Sequence, residues 1–202
     1  DAVPAVAHRR LSGLPLALTQ SQVHALLDAC DRSSPVGRRD FAVITMLHRL
    51  GLRCAELVEL RLQDVDWQAG TLTVRGKGDR IDLLPLPIDV GQALVEYLRH
   101  GRPRTTARTV FVRAAAPFTP LASSSASCIV ARTARRAGLG TVHAHRLRHT
   151  GASRTLNAGA SLQEVAHLLR HASPATTTIY AKTDQTRLAT LARPWPTVGG
   201  VS

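Results

Sequence analysis

Thr141-Val142-His143-Ala144-His145-Arg146-Leu147-Arg148-His149-Thr150, taken up again by His167-Leu168-Leu169-Arg170-His171-Ala172-Ser173-Pro174 and closed by Tyr180, is the stretch around which the chain is organised. Between Arg132 and His171 stand seven arginines and five histidines against a single carboxylate, Glu164. A segment of that sign attracts anions, phosphate above all. Ser173-Pro174 opens a helix with proline at its first position, which carries Tyr180 one to two turns along. A phenol is a nucleophile, and guanidinium groups hold negative charge as it develops. Together they suit attack on a phosphodiester without a metal.

Working outward, His145 to Asn157 reads as a helix on which His145, Arg148 and His149 fall on adjacent turns, so that His145 and Arg148 can face one ligand. Ser161-Leu162-Gln163-Glu164 is a capping box for a further helix ending near His171. Upstream, a basic helix is expected from about Ser124 to Ala137, with Ile129, Val130 and Ala134 inward and Arg132, Arg135 and Arg136 outward. Earlier still, Thr19-Gln20-Ser21-Gln22 caps a helix to about Cys30. A polar break over Asp31–Gly37 precedes a second helix with Phe41, Ile44, Leu47 and Leu50 on its apolar face, stopped by Gly51.

Arg53 then stands at a helix start, where the dipole prefers anions. Either it binds an anion there, or it is solvated or paired with Glu56 in the same turn; the residue pattern alone favours the second reading. Thr71–Val74 alternates at period two, Gly76-Lys77-Gly78-Asp79 supplies turn residues, and Ile81–Leu86 resumes an apolar run, which makes a β-hairpin with Lys77 near its tip. A hairpin lysine is commonly just solvated. A helix from Asp89 to Gly101, in which Tyr97 lies among apolar neighbours as a packing residue, and a short strand over Thr109–Val112 complete the chain. The fold class is α+β, mainly helical, with a small antiparallel hairpin or sheet at one edge. Residues 1–16 read as a linker, 17–183 as one domain, and 184–202 as a short apolar helix and tail.

Composition narrows the function. The 202 residues carry a formal charge of +12 and a pI near 11.3, which points to a polyanion such as nucleic acid, while an aromatic content of 3% argues against base stacking as the main binding mode. Of 26 basic residues only Lys77 and Lys182 are lysine. A lysine kept in so arginine-rich a chain suits a task that needs a titratable amine, since guanidinium does not give up its proton. Cys30, Cys54 and Cys128 are odd in number and far apart, and are expected to be buried thiols in a reducing compartment. With no signal-like or membrane-length segment, a cytoplasmic location is expected. The start at Asp1 rather than Met reads as the C-terminal piece of something longer.

With Arg53, Lys77, His145, Arg148, His171 and Tyr180 in view, the chain resembles the tyrosine recombinases, or phage integrase family, over roughly residues 17 to 190. Gly51-Leu52-Arg53-Cys54-Ala55-Glu56-Leu57 carries the family's first arginine, Gly76-Lys77-Gly78 its hairpin lysine and His145-Arg146-Leu147-Arg148-His149-Thr150 its His-x-x-Arg. His171 to Ile179-Tyr180 carries the last histidine and, nine residues on, the tyrosine. The resemblance implies a catalytic domain that cuts and rejoins double-stranded DNA through a 3′-phosphotyrosyl intermediate. Arg53 and Arg148 would hold the non-bridging oxygens, Tyr180 would attack, and Lys77 would protonate the departing 5′-oxygen. His145 would assist proton transfer at the nucleophile, and His171 would hydrogen-bond the phosphate. Because the bond energy is kept in the protein–DNA link, it implies no cofactor, neither metal nor ATP. It further implies a tetramer on DNA in which the tail docks on a neighbouring protomer. Two positions depart from the pattern: Arg170 stands where a glycine usually precedes the last histidine, and Arg146 where an acidic residue is frequent.

Rival readings are a zinc enzyme, from the i, i+4 pairs His145/His149 and His167/His171, a DNA-binding module without chemistry, and a type IB topoisomerase acting as a monomer. Arginines crowd both histidine pairs and would repel a cation. A module without chemistry would leave Tyr180 and Lys77 without a task.

Overall fold

Capping chemistry starts the first two helices. The computed structural model describes residues 17–76, 78, 80–157 and 159. Helix α1 (Gln20–Asp28) begins at Thr19, whose hydroxyl accepts from the Gln22 amide while the Gln22 side chain accepts from the Thr19 amide. Both orphan donors are thereby satisfied, as the sequence pattern required. Helix α2 (Pro35–Arg49) begins earlier than expected, so that Pro35, Val36 and Gly37 are its first turn and not part of a polar break. The cause is local: the Ser34 hydroxyl accepts from the Gly37 amide, and Pro35 takes the first helical position, where its missing N–H costs nothing.

Around α2 the core assembles. It packs on α4 (Ile88–His100) and α5 (Ser123–Arg136), and α3 (Cys54–Glu59) packs on α5. Leu26, Ile44, Leu57, Leu94, Val130 and Leu147 belong to one apolar cluster, so the amphipathic faces read from the sequence meet as expected. Tyr97 is fully buried, stacked on Phe111 at 5.3 Å, and its hydroxyl accepts from the Val112 amide. Burial raises its pKa, the opposite of what a nucleophile needs.

Three strands lie in the order β1-β2-β3, all antiparallel: β1 (Val65–Asp66), β2 (Thr71–Arg75) and β3 (Ile81–Pro85). β2 and β3 are the expected hairpin, in a register pairing Thr71 with Pro85 and Arg75 with Ile81. β1 was not anticipated, because two residues are too short to show a period. Leu72 and Val74 turn to the core, whereas Ile81 and Leu83 on the edge strand are exposed. The Gly76 amide donates to the Arg80 carbonyl to close the turn, in which Gly78 has φ +77°. Lys77 and Asp79 lie outside the described residues.

Thr109–Val112 is not a strand, contrary to expectation. Only isolated bridges occur, Arg61 to Thr109 and Val112 to Pro120. The Arg102 guanidinium donates to the Ala107, Thr109 and Val110 carbonyls, and so takes acceptors that a ladder would use. The cysteines also differ from the expectation of buried thiols. Cys30 is buried, and burial together with the nearby Asp40 carboxylate pushes its pKa up to about 12. Cys54 is half-buried and Cys128 exposed, because Cys128 falls on the solvent side of α5, one position before inward-facing Ile129.

The chain divides into two compact units, Asp1–Thr150 and Gly151–Ser202. In the first, α6 (Ala144–Asn157) begins, and its Leu147 enters the core. In the second, the described residues are Gly151–Asn157, which continue α6, and Gly159. The expected linker over 1–16, the helix from Ser161, the helix bearing Tyr180 and the tail lie outside the described residues. The architecture is mainly helical with a small antiparallel sheet. No helix among the described residues is long and apolar enough to cross a membrane.

Candidate active site

The turn Gly51-Leu52-Arg53 gathers two of the expected site residues. Gly51 ends the α2 connection with φ +57°, a left-handed conformation that glycine adopts without a side-chain clash. Leu52 is buried, and Arg53 becomes the residue that precedes the first turn of α3. Arg148, from the second turn of α6, donates from Nη1 to the Gly51 carbonyl. It is 4% exposed. One guanidinium is thus fixed against the backbone two residues before the other, across 97 positions of sequence.

The cation that the helix dipole should disfavour is held by Glu56. Its carboxylate accepts from the Arg53 amide at 2.8 Å and from Arg53 Nη1 at 2.6 Å. The glutamate side chain is 4% exposed and that of the arginine 44%. The local reading of Arg53 as a Glu56 partner therefore holds, and it leaves the arginine side chain nearly half in solvent. Glu56 is the residue whose importance the sequence reading undervalued. Its signal was an acid three residues after the helix start, where a side chain reaches back to the capping amide.

His145 and Arg148 share α6 but not an environment: His145 is exposed and Arg148 buried. His149, one turn beyond His145, is 9% exposed. Burial, and then the proximity of His145, lower its pKa. Both effects favour the neutral form of the imidazole. The Cys54 thiol meets the Ser127 hydroxyl at 3.4 Å, which ties the first residue of α3 to α5. Among the described residues no three His, Cys, Asp or Glu side chains are grouped so as to hold a metal ion. Lys77, His171 and Tyr180 lie outside the described residues, so the structure relates only Arg53, His145 and Arg148.

Chemically, the described part of the site offers one fixed guanidinium, one half-exposed guanidinium on a buried carboxylate, and an exposed imidazole. Comparison with known proteins gives this arrangement its class. The model of the phage integrase family matches residues 17–187, and the chain belongs to that family. It is 47% identical over 198 residues to the protein y4rA of Sinorhizobium fredii (strain NBRC 101917 / NGR234), covering 96% of this chain and 48% of that one. To the tyrosine recombinase XerD of Xanthomonas axonopodis pv. citri (strain 306) it is 40% identical, covering 83% of this chain and 58% of that one. The chain therefore spans about half the length of these curated relatives. Among solved structures, the XerH site-specific recombinase in a post-cleavage complex with palindromic difH substrate matches with a TM-score of 0.73 and 26% identity, over 87% of this chain and 52% of that one.

Proposed function

We propose that the chain is the catalytic domain, over residues 17–183, of a site-specific DNA recombinase that cuts and rejoins double-stranded DNA through a 3′-phosphotyrosyl link. The observation that carries this reading is the turn at Gly51–Arg53, where the first arginine of the family pattern stands two residues from the carbonyl that fixes the second. Two guanidiniums so related can each give paired hydrogen bonds to the non-bridging oxygens of one phosphate. That stabilises the pentavalent transition state where its charge develops.

In the proposed reaction the Tyr180 phenol oxygen bonds to phosphorus as the bond to the 5′-oxygen breaks. Lys77 gives that oxygen its proton, His145 assists removal of the phenolic proton, and His171 hydrogen-bonds the phosphate. Attack by a 5′-hydroxyl reverses the step and releases the tyrosine. Neither ATP nor a metal is needed, because the phosphoester bond is exchanged and not lost. We further propose action in the cytoplasm as a tetramer on DNA, with residues 184–202 docked on a neighbouring protomer. The DNA-bound recombinase of known structure, XerH with difH, supports the choice of substrate.

A nicked suicide duplex tests the chemistry. Wild-type chain should form a covalent adduct in the presence of chelator; Tyr180→Phe should form none while binding DNA almost as well, since one hydroxyl and no charge is lost. Adduct formation that survived Tyr180→Phe and vanished with Tyr97→Phe would overturn the assignment. Relaxation of supercoiled plasmid without a specific site would point instead to a topoisomerase.

A further inference from the structure

The hairpin leaves one edge of the sheet open. In the order β1-β2-β3 the outer strands are β1, of two residues, and β3, of five. A two-residue strand is too short to template another, and a five-residue strand is not. Backbone bonding fixes which groups of β3 face outward. The Gly76 amide donates to the Arg80 carbonyl and the Leu86 amide to the Gly70 carbonyl, and both pairs belong to the register that sets Thr73 opposite Leu83. Hydrogen-bonded pairs alternate along an antiparallel ladder, so Asp82 and Leu84 bond inward to β2. Ile81 and Leu83 therefore point their N–H and C=O groups to the open edge, where Pro85 adds a carbonyl but no N–H.

The side chains follow the same alternation. Leu72 and Val74 are buried and Leu84 packs on the core, so Ile81, Leu83 and Pro85 stand on the opposite, open face. Ile81 is 65% and Leu83 67% exposed. Among the described residues no strand pairs with the outer side of β3. Natural sheets protect an open edge with lysine, proline, inward-pointing charge or a covering segment. Here that protection is partial: Asp82 on the inner face and Pro85 at the end restrict how a strand can be added without closing the edge.

We infer that β3 is a self-association surface, and that its occupant is β3 of a second copy of this chain, paired antiparallel about a twofold axis through Leu83. Both restrictions select that partner. An antiparallel copy centred on Leu83 exchanges both hydrogen bonds between the two Leu83 residues and sends each Ile81 N–H to the Pro85 carbonyl of the other copy. Proline, which can only accept there, meets a residue with an N–H to give. A copy centred on Asp82 instead would set the two Asp82 carboxylates directly opposite each other, which is destabilising. Centred on Leu83, each Asp82 keeps its own Arg80 at 2.9 Å and faces Leu84 of the other copy. Ile81, Leu83 and Pro85 of both copies then join into one apolar stripe on the open face. The contact needs no DNA, and it does not depend on the strand-transfer reading.

Sedimentation of the full chain over a range of concentrations tests this. Wild type should approach twice the mass of one chain, and more readily as salt rises from about 0.1 to about 1 M, because each copy carries a formal +12 and screening weakens their repulsion. Leu83→Lys sets two ammonium groups on the axis and should return the mass of a single chain. Its melting temperature should match wild type at a dilution where both are monomeric, since the side chain it replaces is exposed. Ile88→Lys, at an apolar residue outside the strand that is more exposed still, should keep the doubled mass. In a Cys128→Ser background, which removes the exposed native thiol, a short bismaleimide should join Leu83→Cys to its copy and Ile81→Cys far less. A single-chain mass at every concentration of wild type would overturn the second copy as occupant. A doubled mass that survived Leu83→Lys, or that Ile88→Lys abolished, would overturn the surface, and equal cross-linking at the two cysteines would overturn the register.

Discussion

Arg53 and Arg148 lie beside the same turn and are held in opposite ways. Arg148 is buried and committed to a backbone carbonyl, so its position belongs to the fold. Arg53 is nearly half in solvent and pairs with the Glu56 carboxylate, so its position depends on a surface-facing ion pair. The contrast separates two routes to a preorganised site: in the first, removing the guanidinium damages stability and catalysis together, and in the second the two are separable.

The largest effect is therefore expected from Arg148→Ala, which should lower single-turnover cleavage by about 10²–10³-fold, as for loss of one transition-state donor. It should also lower the melting temperature, because the Gly51 carbonyl loses its partner in a buried place. Arg148→Lys should recover little of either, since an ammonium does not reproduce the fork. Arg53→Ala should slow cleavage by a similar factor and cost clearly less stability. Equal losses of melting temperature in the two alanine variants would erase the distinction.

Glu56→Gln sharpens the same comparison at smaller amplitude. The amide can still accept from the Arg53 backbone N–H but no longer balances its charge. A stability loss of about 1 kcal/mol, the usual scale for a weakened cap, should accompany a drop in cleavage smaller than that of Arg53→Ala. Stability and rate can be read on the same preparation by thermal melt and adduct assay.

The smallest effect concerns acid. Burial works against ionisation of Asp64, but its bonds from Arg75 and from the Arg61 amide prevail, and its folded pKa is depressed. A depressed carboxylate contributes stability above its unfolded pKa, near 3.9, that is lost as pH falls through the folded value. Melts between pH 6 and 2 should show this loss, and Arg75→Met should flatten it. An unchanged acid limb in Arg75→Met would remove the pair from the account.

How much of this was legible in the sequence depended on range. Thr19 and Gln22, or Arg53 and Glu56, are three residues apart, and caps and pairs at that spacing can be read directly. The faces of α2, α4 and α5 were legible because apolar side chains recur at the helical period. Short or non-local features were not: β1 has two residues, the apparent strand at Thr109–Val112 is governed by Arg102, and Asp40 meets Arg132 across 92 positions. For the same reason Arg148 could be nominated from its neighbours in sequence, while its anchor at Gly51 could not.

The hydroxyl of Thr150 accepts from the amide of Leu18, 132 residues earlier, and Leu147 on the same helix belongs to the core that also holds Leu18. The opening of the domain is therefore sealed by one of its last described turns. On the ribosome, the first helix can form early but cannot be locked until α6 has emerged, and closing so long a loop is slow. Arg148 arrives on that same turn. A half-made chain consequently lacks the buried arginine, and the locking of the first helix coincides with the arrival of Arg148.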